Sequence, residues 1–254
     1  MREPDSMEAD RVAAAGAYGD RIAAAYDELH AHMEPALAVE ALAALASGGR
    51  VLELGVGTGR VALPLAERGL EVHGIDASEG MIARLRTKPG GDAIALTVGD
   101  FADVGAEGEF ALVFVVFTTF FGLLSQEEQV RCFRNVAARL DRGGVFVVEA
   151  FVPDLGRYNE RREALRAAHR AEQLRFHLSH LDAVAQRIST KLLVIDDGQL
   201  AQYPVEIRYA WPSELDLMAR LAGLRLRERW SDWRGAPFTS ASGAHISVYE
   251  RARE

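Results

Sequence analysis

Between Arg50 and Phe151 short apolar runs alternate with segments of helical periodicity. Strands are predicted at Arg50–Leu54, Glu71–Ile75, Ala93–Val98, Phe110–Phe117 and Val145–Phe151. Helices are predicted over Thr58–Arg68, Glu79–Arg86 and Gln126–Leu140, with Ser78 and Ser125 as N-caps and Gly69 and Gly143-Gly144 as stops. Strands that are apolar throughout belong inside a sheet, so this repetition predicts a parallel sheet covered by helices on both faces.

The flanks follow other rhythms. Residues 1–10 are expected to fray. Arg11–Leu29 is Ala-rich, with Val12, Tyr18, Ile22 and Tyr26 at helical spacing, and Pro35–Ala46 reads as a further helix. After Pro153 the alternation breaks. Leu155–Arg175, rich in Arg, Glu and Ala, reads as helical or mobile. Gln173–Asp182, Gln186–Ile195 and Gln199–Ala210 read as successive strands, the last two joined by an Asp196-Asp197-Gly198 hairpin turn. A helix over Glu214–Ala222 and strands at Leu224–Trp230 and Ala244–Glu250 complete the chain. With no repeat or low-complexity linker, residues 1–254 read as one domain, with a helical segment at 1–47 and an inserted antiparallel β cap at 154–210.

Composition narrows the function classes. The 254 residues carry a net charge of −8, and the basic clusters at Arg157–Arg162 and Arg225–Arg229 are interrupted by acids and apolar residues, so no nucleic-acid partner is expected. The longest uncharged run, Phe110–Gln126, has two threonines at its centre and reads as a buried strand and loop; no membrane partner is expected. The single cysteine, Cys132, excludes an intrachain disulfide. The acidic start lacks an apolar core, so it is no signal peptide, and a cytoplasmic location is expected. Assembly as a homodimer stays open. No His/Cys/Asp cluster has metal-site spacing, and no G-x-S-x-G elbow is present.

The most informative stretch is Glu53-Leu54-Gly55-Val56-Gly57-Thr58-Gly59, where a buried strand enters a glycine turn and then a helix. Glycine lets a ligand approach the main chain, and a helix start offers free N–H groups. Asp76, at the end of the next strand, is placed to bind ribose hydroxyls. A dinucleotide fingerprint needs a glycine where Arg60 stands, so that alternative fails.

These residues resemble the class I S-adenosylmethionine-dependent methyltransferases, most clearly over Arg50–Phe151. The resemblance implies a Rossmann-like doubly wound α/β sheet, mostly parallel with an antiparallel C-terminal strand, and S-adenosyl-L-methionine as cofactor. It implies that Gly55, Gly57 and Gly59 lie against the cofactor's methionine part and ribose, with Glu53 in the same motif and Asp76 on the ribose. Asp100 is implied on the adenine amino group with Phe101 beside the ring, Ala77 and Met81 near the adenosine, and Phe117 and Thr118 near the sulfonium. Tyr18 joins the expected cofactor set. The finer resemblance is to bacterial natural-product enzymes, the amino-sugar N,N-dimethyltransferases and the peptide α-N-methyltransferases of the cypemycin type. Tyr26-Asp27, Leu217–Leu224 and Pro237-Phe238-Thr239 carry it. Residues 117–123 lack the histidine that the amino-sugar enzymes carry, with Gly122 at its place.

Methyl transfer from a sulfonium asks the protein mainly for positioning, and for a base where the acceptor must lose a proton. The histidines at 30, 32, 73, 177, 180 and 245 are the candidate bases. His245, beside the Pro237-Phe238 loop, is favoured, with Tyr26 as a group that closes over the methyl or orients the acceptor. Thr119, Phe120, Phe151, Tyr158, Tyr209, Trp230 and Trp233 are expected to wall the acceptor pocket. Arg208 and Arg229 are assigned to solvated surface, with an acidic acceptor as the alternative. The expected activity is methyl transfer to a nitrogen or oxygen of a small-molecule or short-peptide acceptor. The competing reading is a non-catalytic methyltransferase-like binding or regulatory subunit.

Overall fold

The computed structural model describes residues 12, 15–170 and 173–252; the expectation for residues 1–10 lies outside them. A helix through residues 15–22 (α1) leads into α2 (Tyr26–Leu29) and α3 (Ala36–Ala46). The alternation then runs β1 (Val51–Leu54), α4 (Ala62–Glu67), β2 (Val72–Asp76), α5 (Glu79–Arg86), β3 (Ala95–Val98), β4 (Phe110–Val115), α6 (Gln126–Arg139) and β5 (Leu140–Phe151). Four antiparallel strands follow: β6 (Glu163–Arg170), β7 (Gln173–Asp182), β8 (Arg187–Asp196) and β9 (Gln199–Arg208). The chain ends with α7 (Pro212–Leu221), β10 (Leu224–Trp230) and β11 (Ala244–Arg251).

The main sheet has the order β3-β2-β1-β4-β5-β11-β10. The first five strands are mutually parallel, and β11 runs antiparallel to both neighbours. The strand order reverses between β1 and β4. In an open α/β sheet ligands bind at the carboxyl ends of the strands beside such a switch point. Both expected caps are in place. Ser78 Oγ accepts from the Met81 N–H at 3.0 Å, and Ser125 and Glu128 form a reciprocal capping box.

Three boundaries depart from the sequence reading. The described residues of the 155–175 segment do not form the expected helix: a short turn at Leu155–Arg157 precedes β6, which pairs with β7 along its length. Pairing with a neighbouring strand overrides the helix preference of Glu, Ala and Arg. β5 begins at Leu140 and runs through the glycines taken as a helix stop, because Leu140 pairs with Phe110. β4 ends at Val115, and the backbone then turns left-handed at Phe117 and Thr118.

The core lies on both faces of the main sheet. On one face Phe133 of α6 meets Phe120, Phe146 and Tyr249 edge-on, with ring centroids 5.1–5.5 Å apart. Leu181, Ile188 and Tyr209 belong to the same apolar cluster, so the four-stranded cap is packed onto the sheet. The other face carries α3 and α4 against Val51, Leu112, Phe114 and Val147. A third cluster joins Ile22 and Leu29 to Met81 of α5 and to Leu192 and Val194 of the cap. The N-terminal segment therefore packs against both α5 and the cap. Among the described residues no helix is long and apolar enough to cross a membrane.

Arg208 corrects its assignment to solvated surface: it is 6% exposed. Its guanidinium donates to Gln129 Oε1 (2.5 Å), Gln186 Oε1 (2.9 Å) and Glu214 Oε1 (2.7 Å), fastening the cap to α6 and α7. Removing one member of such a buried pair strands its partners. Arg208→Ala is therefore expected to cost about 3–5 kcal/mol, read as a lowered thermal midpoint. Arg229 is likewise structural. It is held by Asp216 at 2.5 Å and by Ser247 and Tyr249.

Candidate functional site

The site grows from the turn after β1. The Gly55 and Val56 N–H groups both donate to the Ile75 carbonyl, at 2.8 and 3.0 Å, pinning the turn to the end of β2. Gly55 has φ +73°, and a side chain there would collide with the Thr119 methyl. Gly57 has φ +53° and no atom within 4 Å of where a side chain would stand, so its backbone is open to a ligand. Asp76 closes this corner. Its Oδ2 accepts from the Gly57 N–H at 2.7 Å and its Oδ1 from the Ser78 N–H at 2.8 Å. Burial raises the Asp76 carboxyl above its ordinary value, partly opposed by the Ser78 and Gly57 hydrogen bonds and reinforced by Asp20.

A narrow cavity adjoins this turn, lined by Tyr26, Glu53, Gly55, Val56, Gly57, Thr58, Arg60, Val116, Phe117 and Thr119. Glu53 is 3% exposed, and its Oε2 has no hydrogen-bond partner. Burial pushes its carboxyl well above the ordinary range, against the pull of the Ala62 N–H and with the push of Asp76. Arg60 supplies the opposite charge. Its guanidinium carbon lies 5.4 Å from the ring centroids of both Tyr26 and Phe117, while Nη1 donates to the His30 carbonyl at 2.7 Å. An acid with a spare oxygen and an arginine held between two rings thus line one cavity.

The N-terminal helices bring further groups to the rim. Gly16 and Gly19 of α1 lie so close to Ala77 and Ser78 that side chains on either glycine would clash. Asp20 accepts from Ser78 Oγ (2.6 Å) and the Gly80 N–H (3.0 Å), adding a second carboxylate cap to α5. Asp27 accepts from Thr58 Oγ1 (2.6 Å) and Lys88 Nζ (2.9 Å), locking α2 to the glycine turn. Tyr18 packs beside Tyr26 and Tyr203, and burial raises its phenol. Met81 is buried in the same cluster. Asp100, at the end of β3, accepts from the Ala102 N–H at 2.9 Å and faces Arg131 at 3.6 Å. Phe101 reaches the space beside Gly55.

The expected acceptor-side residues separate into groups. Thr119 lines the cavity beside Phe117, and Thr118 stands between them with φ +67°. Phe120 and Tyr209 lie in the core at 0% and 1% exposure. Phe151 is half-buried, packed edge-on against Phe121 at 5.2 Å. Tyr158 borders the same cluster and carries the Arg157 guanidinium over its ring. Trp230 and Trp233 pack near Phe117 on the opposite face. His245 is fully buried, with Nδ1 2.8 Å from Ser247 Oγ and Phe238 edge-on to its ring. Burial, reinforced by Arg229, pushes it down to about 4, so the imidazole is neutral near pH 7. His73 meets Thr97 at 2.8 Å, and His30 meets the Tyr26 carbonyl at 2.9 Å. Cys132 is a buried thiol whose ionisation burial suppresses. Among the described residues no group of His, Cys, Asp and Glu is arranged to hold a metal ion.

The sequence reading gave no structural role to four residues at or behind the site: Arg60, Asp20, Asp27 and Glu149. Arg60 entered it only as a missing glycine, although an arginine directly after a glycine turn is a cation within reach of that turn. The other three act through partners 31 to 84 positions away, which no local pattern reveals.

Comparison with known proteins agrees with this geometry. Residues 51–144 match a family described as a methyltransferase domain. The cypemycin N-terminal methyltransferase of a Streptomyces species is 30% identical over 213 residues, covering 80% of this chain and 84% of that protein. The structure of the CcbJ methyltransferase from Streptomyces caelestis superposes with a TM-score of 0.87 at 38% identity, covering 94% of this chain and 99% of that one. CalS10, an amino pentose methyltransferase from Micromonospora echinaspora solved with S-adenosylmethionine bound, shares the fold with a TM-score of 0.63. It is 21% identical, over 85% of this chain and 90% of that one.

Proposed function

The chain belongs to the S-adenosylmethionine-dependent methyltransferases, and from that premise we propose that it methylates an amine nitrogen of a small natural-product or short-peptide acceptor. One observation carries the cofactor's fit to these particular residues: the unpartnered Oε2 of buried Glu53, in a cavity that Arg60 and the open Gly57 also line. Glu53 would hold the α-ammonium, Arg60 the α-carboxylate, Asp76 the ribose hydroxyls, and Phe101 the face of the adenine.

When bound, S-adenosylmethionine supplies a methyl group already activated on a sulfonium. The protein's part is to orient and to exclude water. Tyr26 and Phe117, which line the cavity, would close it over the bound methyl donor, and burial keeps the Tyr26 phenol protonated. An amine that reaches the cavity in its neutral form needs no strong base, whereas a hydroxyl would need one. His245 is closed off between Ser247 and Phe238, so the arrangement favours the amine. In keeping with this, one relative is named an N-terminal methyltransferase and one structural neighbour an amino pentose methyltransferase. The non-catalytic alternative has no support from family or site.

Incubation with S-adenosylmethionine and a panel of free N-terminal peptides, amino sugars and phenols, read by mass spectrometry, tests this reading. Methylated amines are expected. Methylation confined to the phenols would contradict it.

A further inference from the structure

Glu149 stands near the end of β5 with its carboxylate between two segments distant in sequence. Oε2 accepts from the Phe117 N–H at 2.8 Å, and Oε1 accepts from the Trp233 indole N–H at 2.9 Å. The Glu149 carbonyl also accepts from the Thr118 N–H at 3.3 Å. The two residues it holds are unusual. Phe117 has φ +53° and Thr118 φ +67°, two consecutive non-glycine residues in the left-handed region. Such backbone persists only where its surroundings enforce it. The enforced conformation has a visible consequence, because Phe117 lines the cavity and carries the Arg60 guanidinium over its ring.

We propose that Glu149 is a positioning residue for methyl transfer: its carboxylate holds Phe117, the first of the left-handed pair 117–118, so that the Phe117 ring forms the cavity wall, and ties that wall to the Trp233 loop. This rests on the cavity being the cofactor site. Each carboxylate oxygen already accepts a donor, which suits an anchor rather than a base. Burial raises the carboxyl above its usual value, and the Phe117 and Trp233 hydrogen bonds pull against that rise. Protonation would cost the carboxylate acceptor strength on both sides at once.

The test is S-adenosylhomocysteine binding by calorimetry to four proteins: wild type, Glu149→Gln, Thr118→Gly and the double variant. An amide can turn its oxygen to only one of the two donors, so Glu149→Gln is expected to weaken binding about tenfold or more. Glycine accepts the left-handed backbone without strain. Adding Thr118→Gly lessens the strain of the pair that the weakened acceptor must hold and should therefore recover part of that loss, which no merely local packing defect at position 149 would allow. Wild-type affinity in Glu149→Gln overturns the proposal, and so does a loss that Thr118→Gly leaves untouched. If Glu149→Gln does not fold, Trp233→Phe removes one donor alone. The same glycine rescue of a smaller loss is then expected, and its absence overturns the proposal. Failure of the wild type itself to bind would instead strike the cofactor assignment.

Discussion

Asp76→Ala is expected to lower the affinity for S-adenosylhomocysteine by about a hundredfold or more, since two charge-assisted hydrogen bonds of about 1.5–3 kcal/mol each vanish together. Each Asp76 oxygen accepts one backbone N–H, from Gly57 and from Ser78, and keeps a second lone pair for a ribose hydroxyl. The carboxylate thus both shapes the glycine turn and binds what enters it. Asp76→Asn separates the two roles. Its amide keeps one acceptor oxygen but presents a donor where the other accepted, so a smaller loss is expected. Calorimetry on both variants, with circular dichroism confirming the fold, reads the difference.

Glu53→Gln is expected to weaken S-adenosylhomocysteine binding by about tenfold to a hundredfold at neutral pH, through loss of a buried charge-assisted contact. The more telling signature is its pH dependence. In the ligand-free protein burial raises the Glu53 carboxyl well above its ordinary value. An ammonium group at the spare Oε2 requires the ionised form, so binding expels a proton. Wild-type affinity should rise with pH up to the raised value and level off above it. The Gln variant should lack that component. Stability of the ligand-free protein runs the other way. A carboxyl raised in the folded state binds more protons there than when unfolded. Its contribution is complete below the ordinary carboxylate value and is lost as pH rises through the raised one. Within that window the Glu53 contribution falls by at most about 1.4 kcal/mol per pH unit. Asp76 is raised as well, so the check is the difference between wild type and Glu53→Gln in denaturant melts across pH.

Much of the architecture was legible because its signals are local. Ser78 and Ser125 announce helix starts by side chains that reach three residues onward, and the glycine turn is written in seven consecutive positions. The helix preference of residues 163–170 misled, because strand pairing is settled by β7 and not by the segment itself. Aromatic residues carry no mark of which way they face. Phe120 and Tyr209 enter the core, whereas Phe117, three residues from Phe120, lines the cavity. Histidine was the natural place to look for a base, yet His245, at the start of β11 where it pairs with the end of β5, is fully buried. Glu149 drew no attention as one acid in an apolar strand, because its two partners come from other loops.

The account turns on where the cofactor sits, and hydrogen–deuterium exchange with and without S-adenosylhomocysteine asks that directly. Added protection is expected in peptides covering residues 53–60, 76–81, 100–102 and 117–119. The outer strands of the four-stranded cap should exchange as before. Binding that leaves the glycine turn and the Asp76 corner unprotected would contradict the account.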